Sequence, residues 1–178
     1  ISPVQKPHPP LWIGIGSADG AMRAGDAGVN VLTNLPLDMG AGLMAQYSDA
    51  FAAKHGSAPL PKFAMCRHVY VAETDAEAER IMRAAYPAWY EHFVALWIEH
   101  GADPVISKYT ADFDETAKRD LLIFGSPSKV REEIERYVEI SATNYFVCRF
   151  AYGSLTYDQS RAALDLFTEE VMPHFSGC

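Results

Sequence analysis

The residues whose types suit chemistry stand at the ends of short apolar runs. Gly16-Ser17-Ala18-Asp19-Gly20 follows Leu11-Trp12-Ile13-Gly14-Ile15 and precedes an expected helix. Free amides at a helix start, together with its partial positive charge, make a place for phosphate. Two glycines allow a close backbone approach, and Ser17 offers a hydroxyl. The same residues also describe a plain tight turn. This is not a Walker loop, because no Gly-Lys-Ser/Thr follows, and Gly14-Ile15-Gly16 lacks a third glycine at dinucleotide spacing. Asp19 opposes an anion unless it points away.

Arg149 is a lone cation amid Tyr145, Phe146, Val147, Cys148 and Phe150. Burying an arginine is costly without an anionic partner. Either it faces a ligand at the mouth of a site, or it pairs with a carboxylate of the chain. Arg67 and His68 are adjacent, so strand alternation sends one to each face of a sheet. Tyr152, Thr156 and Tyr157 can line a pocket or simply pack. No catalytic nucleophile is signalled: Ser17 lies in Gly-Ile-Gly-Ser-Ala, not in a Gly-x-Ser-x-Gly elbow. Cys66, Cys148 and Cys178 show neither zinc nor redox spacing, and none of the six histidines pairs at metal-binding helical spacing. No metal is expected, and three cysteines fit a reduced, cytoplasmic environment.

The elements that must position these residues alternate. The prolines of residues 1–10 predict an extended connector. Strands are expected over 11–15, 29–33, 63–72 and 144–150. Helices are expected over 18–27, ending at Gly28, and over 40–55, ending at Gly56. Thr74 and Glu77 form a capping box for a third helix, which Pro87 should kink or divide. Residues 101–124 read as an irregular excursion with a short helix near 114–122. Ser126 and Pro127 open another helix, and Thr156 with Gln159 caps a last one over 157–172. Alternating helices and uninterrupted apolar strands imply an α/β fold with a parallel sheet, open or part of a barrel. In either, ligands bind at the C-terminal strand ends: Gly14–Gly20, Thr33–Asn34, Glu73–Thr74 and Arg149–Ser154.

The 178 residues are 49% apolar, which excludes disorder, and the low cysteine count excludes a disulfide scaffold. Fifteen Lys and Arg against 23 Asp and Glu give a net charge of -8, which argues against a nucleic-acid surface. No apolar run approaches the roughly 18 residues of a membrane span.

Several segments together resemble the bacterial-luciferase-like, flavin-dependent monooxygenases. They are residues 3–14 (PVQKPHPPLWIG), residues 69–78 (VYVAETDAEA), the Gly125-Ser126-Pro127 helix start, and Arg149-Phe150 followed by Glu169-Glu170-Val171-Met172-Pro173. The resemblance implies a TIM (β/α)8 barrel, of which residues 1–178 form a single partial domain. Its four parallel strands, with crossover helices and a helical excursion before the last unit, would be strands five to eight, without the N-terminal half. It implies an organic substrate oxidised by O2 with reduced FMN, the flavin supplied by a reductase, or hydride transfer with a deazaflavin. It places the cofactor phosphate on Gly16, Ser17, Ala18 and Gly20, and brings Asn34 to the flavin edge. Arg149 falls on the active-site face with no assigned role. A homo-oligomer is expected, without nucleic acid or membrane partners. The other reading is a non-catalytic flavin- or ligand-binding half-barrel that pairs with itself.

Overall fold

A central strand, Phe63–Val71, is buried along all nine residues and carries the sheet. The computed structural model describes residues 4–102 and 108–175; Pro3, Pro104 and Cys178 lie outside them. In chain order the elements are β1 (Trp12–Gly14), α1 (Ala18–Ala27), β2 (Asn30–Thr33), α2 (Leu37–His55), β3 (Phe63–Val71), α3 (Asp75–Glu99), α4 (Phe113–Lys118), β4 (Leu122–Gly125), α5 (Pro127–Ser141), β5 (Tyr145–Arg149) and α6 (Tyr157–Leu166). A π turn over Phe167–Val171 and a 3-10 turn over Met172–Phe175 continue α6.

All strand pairs are parallel. The sheet runs β1-β2-β3, and β3 then pairs with two further strands. It meets β2 through Phe63–Met65, β5 through Ala64–His68 and β4 through His68–Val71. Because β5 shares residues of β3 with both others, β2 and β4 follow one another along one edge of β3, and β5 takes the opposite edge.

The sheet has five strands, where the sequence reading expected four. The added strand, β4, is only Leu122-Ile123-Phe124-Gly125. Its pairing depends on β3 being long enough to extend past β2, which is a tertiary circumstance. The short helix before it forms as α4. Pro87 does not divide the helix, as one alternative expected, since α3 runs from Asp75 to Glu99 through it. A proline inside a helix costs about 3 kcal/mol. Ring contacts of Tyr86 with Phe113 (5.6 Å) and of Trp89 with Phe93 (4.8 Å) hold the two sides of this point in place.

The helix ends follow local chemistry. Gly28 closes α1 in the left-handed conformation (φ 65°). Thr74 Oγ1 accepts from the Glu77 amide at 3.2 Å, and Thr156 and Gln159 form a reciprocal capping box. Ser126 precedes Pro127 at the start of α5 without a side-chain cap. Its amide instead donates to Asp75 Oδ1 at 2.7 Å, and this bond holds the Asp75 carboxyl below its ordinary pKa.

One sheet face, with Val31, Phe63, Met65 and Val69, packs with residues of α1, α2 and α5. The opposite face is concave. Trp12 and Tyr145 stand on β1 and β5, three inter-strand steps apart, or about 14 Å in a flat sheet. Their rings nevertheless meet at 5.3 Å. The sheet therefore curls as a barrel wall does. Near its C-terminal end Tyr70 and Leu122 pack with Ala78, Ile81, Met82 and Tyr86 of α3. Leu11, Trp12 and Ile13 leave 53%, 40% and 45% of their surface in solvent.

Candidate functional site

The register sets side by side Gly14, Leu32, Ala64 and Tyr145, and likewise His68 and Arg149. Neighbouring partners share a face, so all of these belong to the concave one. Gly16 and Asn34 stand two residues beyond Gly14 and Leu32, and Arg149 ends β5. What unites the three is the C-terminal rim of the sheet.

At the first rim position the Ile15 amide donates to Leu32 O at 2.9 Å, fixing the chain as it leaves β1. Ile15 is buried with the helices, and Gly16 to Asp19 are exposed. Ser17, in extended backbone (φ -146°, ψ 156°), is the N-cap of α1, and its Oγ accepts from the Gly20 amide at 3.2 Å. Its carbonyl accepts from the Ala21 amide at 3.0 Å. Helix geometry leaves the Ala18 and Asp19 amides without intrahelical partners. The Asp19 carboxylate turns along the helix to Arg23, 3.2 Å away. An added Cβ at Gly14 or Gly16 would meet nothing within 4 Å, and neither glycine has a left-handed φ. Their lack of a side chain therefore serves no need of the chain's own packing or backbone. It leaves open space beside a helix start, which suits a cofactor phosphate.

Asn34, half-buried, follows buried Thr33, whose Oγ1 accepts from the Leu35 amide at 3.3 Å. The Leu35 carbonyl accepts from Arg67 Nη2 at 2.6 Å. Arg67 and His68 divide as alternation requires. Arg67, fully buried, turns to the helix side and also donates from Nε to Tyr137 Oη at 3.2 Å and from Nη1 to Cys66 O at 2.7 Å.

His68 turns to the concave face beside Arg149. Its ring lies 4.5 Å from that of Tyr152 and 5.0 Å from that of Trp89. Burial, with the Arg149 guanidinium adding to it, pushes its pKa down to about 3, so the ring is neutral. Arg149 is half-buried, and no carboxylate pairs with it among the described residues. Its Nη2 reaches Tyr109 Oη at 3.4 Å. Burial raises the pKa of both Tyr109 and Tyr152, so both are phenols that can donate. Thr156 is spent on the capping box, and Tyr157 is 77% exposed.

Sequence reasoning placed the three rim positions and named His68 and Tyr152 singly, but it missed Trp89 and Tyr109 and the gathering of all four around Arg149. Trp89 comes from α3, Tyr109 from the segment just before α4, and Tyr152 from the β5–α6 loop. The one available signal was His68 next to Arg67 in a strand with no other charge. Among the described residues no three His, Cys, Asp or Glu side chains gather to hold a metal. No helix of these residues is long and apolar enough to cross a membrane.

The family model of luciferase-like monooxygenases matches residues 1–144, and the chain belongs to this family. It is 28% identical to the uncharacterized protein y4wF of Sinorhizobium fredii, over 97% of this chain and 50% of that one. It is 25% identical to the oxygenase component of the flavin-dependent trigonelline monooxygenase of Acinetobacter baylyi, over 98% and 51%. The chain thus spans about half the length of the curated relatives it matches. The monooxygenase RslO1 of Streptomyces bottropensis superposes with a TM-score of 0.74 at 22% identity, covering 96% of this chain and 50% of that one. The oxygenating constituent of 3,6-diketocamphane monooxygenase from Pseudomonas putida, solved with FMN, gives 0.68 at 22%, covering 93% and 48%. The fold is that of the luciferase-like TIM-barrel monooxygenases, and the chain covers about half the length of those chains.

Proposed function

We propose that this chain is the C-terminal half of a flavin-dependent monooxygenase barrel, with β1, β2, β3 and β5 as strands five to eight and β4 as an addition. Gly16, Ser17, Ala18 and Gly20 hold the cofactor phosphate, Asn34 approaches the flavin edge, and Arg149 belongs to the active-site face. The observation that carries this reading is the open space at Gly14 and Gly16 beside the uncrossed amides of α1, at the end of a barrel strand. When bound, reduced flavin supplies the two electrons with which O2 gives one oxygen atom to the substrate and the other to water. The chain's own residues bind and orient: amides meet the phosphate, and the aromatic wall of Trp89 and Tyr152 keeps water from the substrate side. The flavin-dependent relative favours FMN as the first cofactor to test, and a coenzyme F420-dependent reductase of the same fold keeps a deazaflavin as the alternative. The oxygenase component among the relatives points to a partner reductase that delivers the flavin reduced.

Titrating FMN into the full-length protein and its Gly16→Val variant tests this. A Cβ at this position meets nothing within 4 Å, so folding stability should be nearly unchanged while FMN affinity falls at least tenfold. Equal affinity in both proteins would remove the phosphate from this loop. Deazaflavin binding in preference to FMN would move the reading to the hydride-transfer branch. The exposed Leu11, Trp12 and Ile13 also favour a second reading, a ligand-binding half-barrel that pairs with itself. Equilibrium sedimentation separates them, since a stable monomer excludes the paired module.

A further inference from the structure

Among the described residues, the buried side-chain nitrogens and oxygens that lack any hydrogen-bond partner are His68 Nδ1, His68 Nε2, Arg149 Nε and Tyr152 Oη. They belong to one cluster. His68 and Arg149 are register partners on β3 and β5, and the Tyr152 ring lies 4.5 Å from that of His68. Buried polar groups are almost always paired, and a cluster of orphans calls for a reason. Arg67 shows how this fold satisfies a buried guanidinium, with three short or ordinary bonds to neutral oxygens. Arg149 has one long bond, to Tyr109 Oη at 3.4 Å, and an unpaired Nε. The cluster supplies a planar cation, two phenols and a neutral imidazole, and no anion. Trp89 closes one side, its ring 5.4 Å from that of Tyr152 and 4.7 Å from that of Tyr109.

We propose that Arg149, Tyr109, Tyr152 and His68 recognise a carboxylate on the organic substrate, with Trp89 against the substrate's apolar body. This rests on the monooxygenase reading and names the substrate class of the same site. A carboxylate is planar and takes two parallel N–H bonds from a guanidinium, which would satisfy Nε and relieve the long Nη2 contact. The Tyr152 hydroxyl and the N–H of neutral His68 are further donors to it. Phosphate of the cofactor is a poor candidate here, because the cofactor reading gives it the open rim position at Gly16, just past β1, whereas Arg149 ends β5 at the other end of the strand order.

The test uses the full-length protein saturated with FMN, titrated with benzoate and with benzamide, a neutral molecule of the same shape. Benzoate should bind about tenfold more tightly, as expected for one charge-assisted contact. Arg149→Gln should bring the two ligands within twofold of each other and leave FMN affinity unchanged. Equal binding of benzoate and benzamide to the natural protein overturns the proposal, as does discrimination that survives in Arg149→Gln. Should Arg149→Gln fail to fold, Tyr152→Phe decides. The proposal expects it to fold and to lose benzoate affinity several-fold. Unchanged benzoate affinity with a raised Tm marks the hydroxyl as a mere structural orphan and overturns it. FMN binding is read separately, so its loss with benzoate preference intact would fault the cofactor reading and not this one.

Discussion

Arg67 Nη2 donates to the carbonyl oxygen of Leu35 across 2.6 Å, tying the middle of β3 to the residue after Asn34. The guanidinium is fully buried without a counter-ion among the described residues, 5.0 Å from the Tyr137 ring. It is held by neutral oxygens alone, so its removal orphans the Leu35 carbonyl. A buried acceptor left unpaired costs about 1–3 kcal/mol. Arg67→Met should therefore lower stability by about 2 kcal/mol in urea unfolding, and should weaken FMN binding because Asn34 loses its anchor. Full stability in Arg67→Met would show that the bond is not needed.

His68 makes acid a specific threat to this fold. Folded, its pKa lies near 3 against an ordinary 6.5, held down first by burial and then by Arg149. The groups facing it are Arg149 of β5, Tyr152 of the following loop and Trp89 of α3. Below pH 6.5 the unfolded chain takes up a proton that the folded chain refuses. The stability contributed by neutral His68 is complete above 6.5 and falls towards pH 3. The slope approaches about 1.4 kcal/mol per pH unit inside that window. Urea midpoints between pH 4.5 and 7 should thus decline for the natural protein and flatten for His68→Phe. Parallel profiles for the two proteins would deny His68 this role.

Ser17 separates two uses of one hydroxyl. As N-cap it serves the Gly20 amide, and loss of such a cap to alanine costs about 1 kcal/mol, whereas glycine costs only a few tenths. Ser17→Gly should keep unfolding stability within about 0.5 kcal/mol of the natural protein. If the hydroxyl also bonds the phosphate, FMN affinity should fall about tenfold, one charge-assisted bond being lost. Unchanged affinity would leave the phosphate to the backbone amides alone.

How much of this was legible beforehand follows the range of the interactions. Gly28, Thr74 and the Thr156–Gln159 box act within a few residues, so their helix ends could be read from the chain. Four strands announced themselves as apolar runs between turn residues. β4 did not, because a four-residue strand exists only where β3 outruns β2. Pro87 misled for a related reason: the rings around it on α3 and α4 resist the break that its local chemistry favours. The rim loop, Asn34 and Arg149 were named from strand ends and family resemblance. His68 and Tyr152 were named singly, but the cluster they form with Arg149, Trp89 and Tyr109 was not, since it arises only through packing of α3 and the β5–α6 loop on the concave face.

Gly153 is the backbone point on which that cluster turns. It stands next to Tyr152 in a left-handed conformation (φ 52°), and a Cβ there would lie 2.0 Å from the Ala85 carbonyl oxygen and 3.1 Å from Trp89 Cβ. Both neighbours are fixed parts of α3, so the loop must move instead. The left-handed conformation alone costs a non-glycine residue about 1 kcal/mol, and the collision adds the work of displacing packed atoms. Gly153→Ala should lower stability by about 2–4 kcal/mol. It should also shift Trp89 fluorescence, because Tyr152 stacks on that ring at 5.4 Å. FMN binding at the Gly16 loop, which shares no hydrogen bond, ion pair or ring contact with Gly153, Tyr152 or Trp89, should hold wherever the variant remains folded. Loss of flavin affinity in the folded variant would mean that the two ends of the rim are coupled, against the separate roles assigned to them. A Gly153→Ala protein as stable as the natural one would show that the loop leaves α3 at little cost.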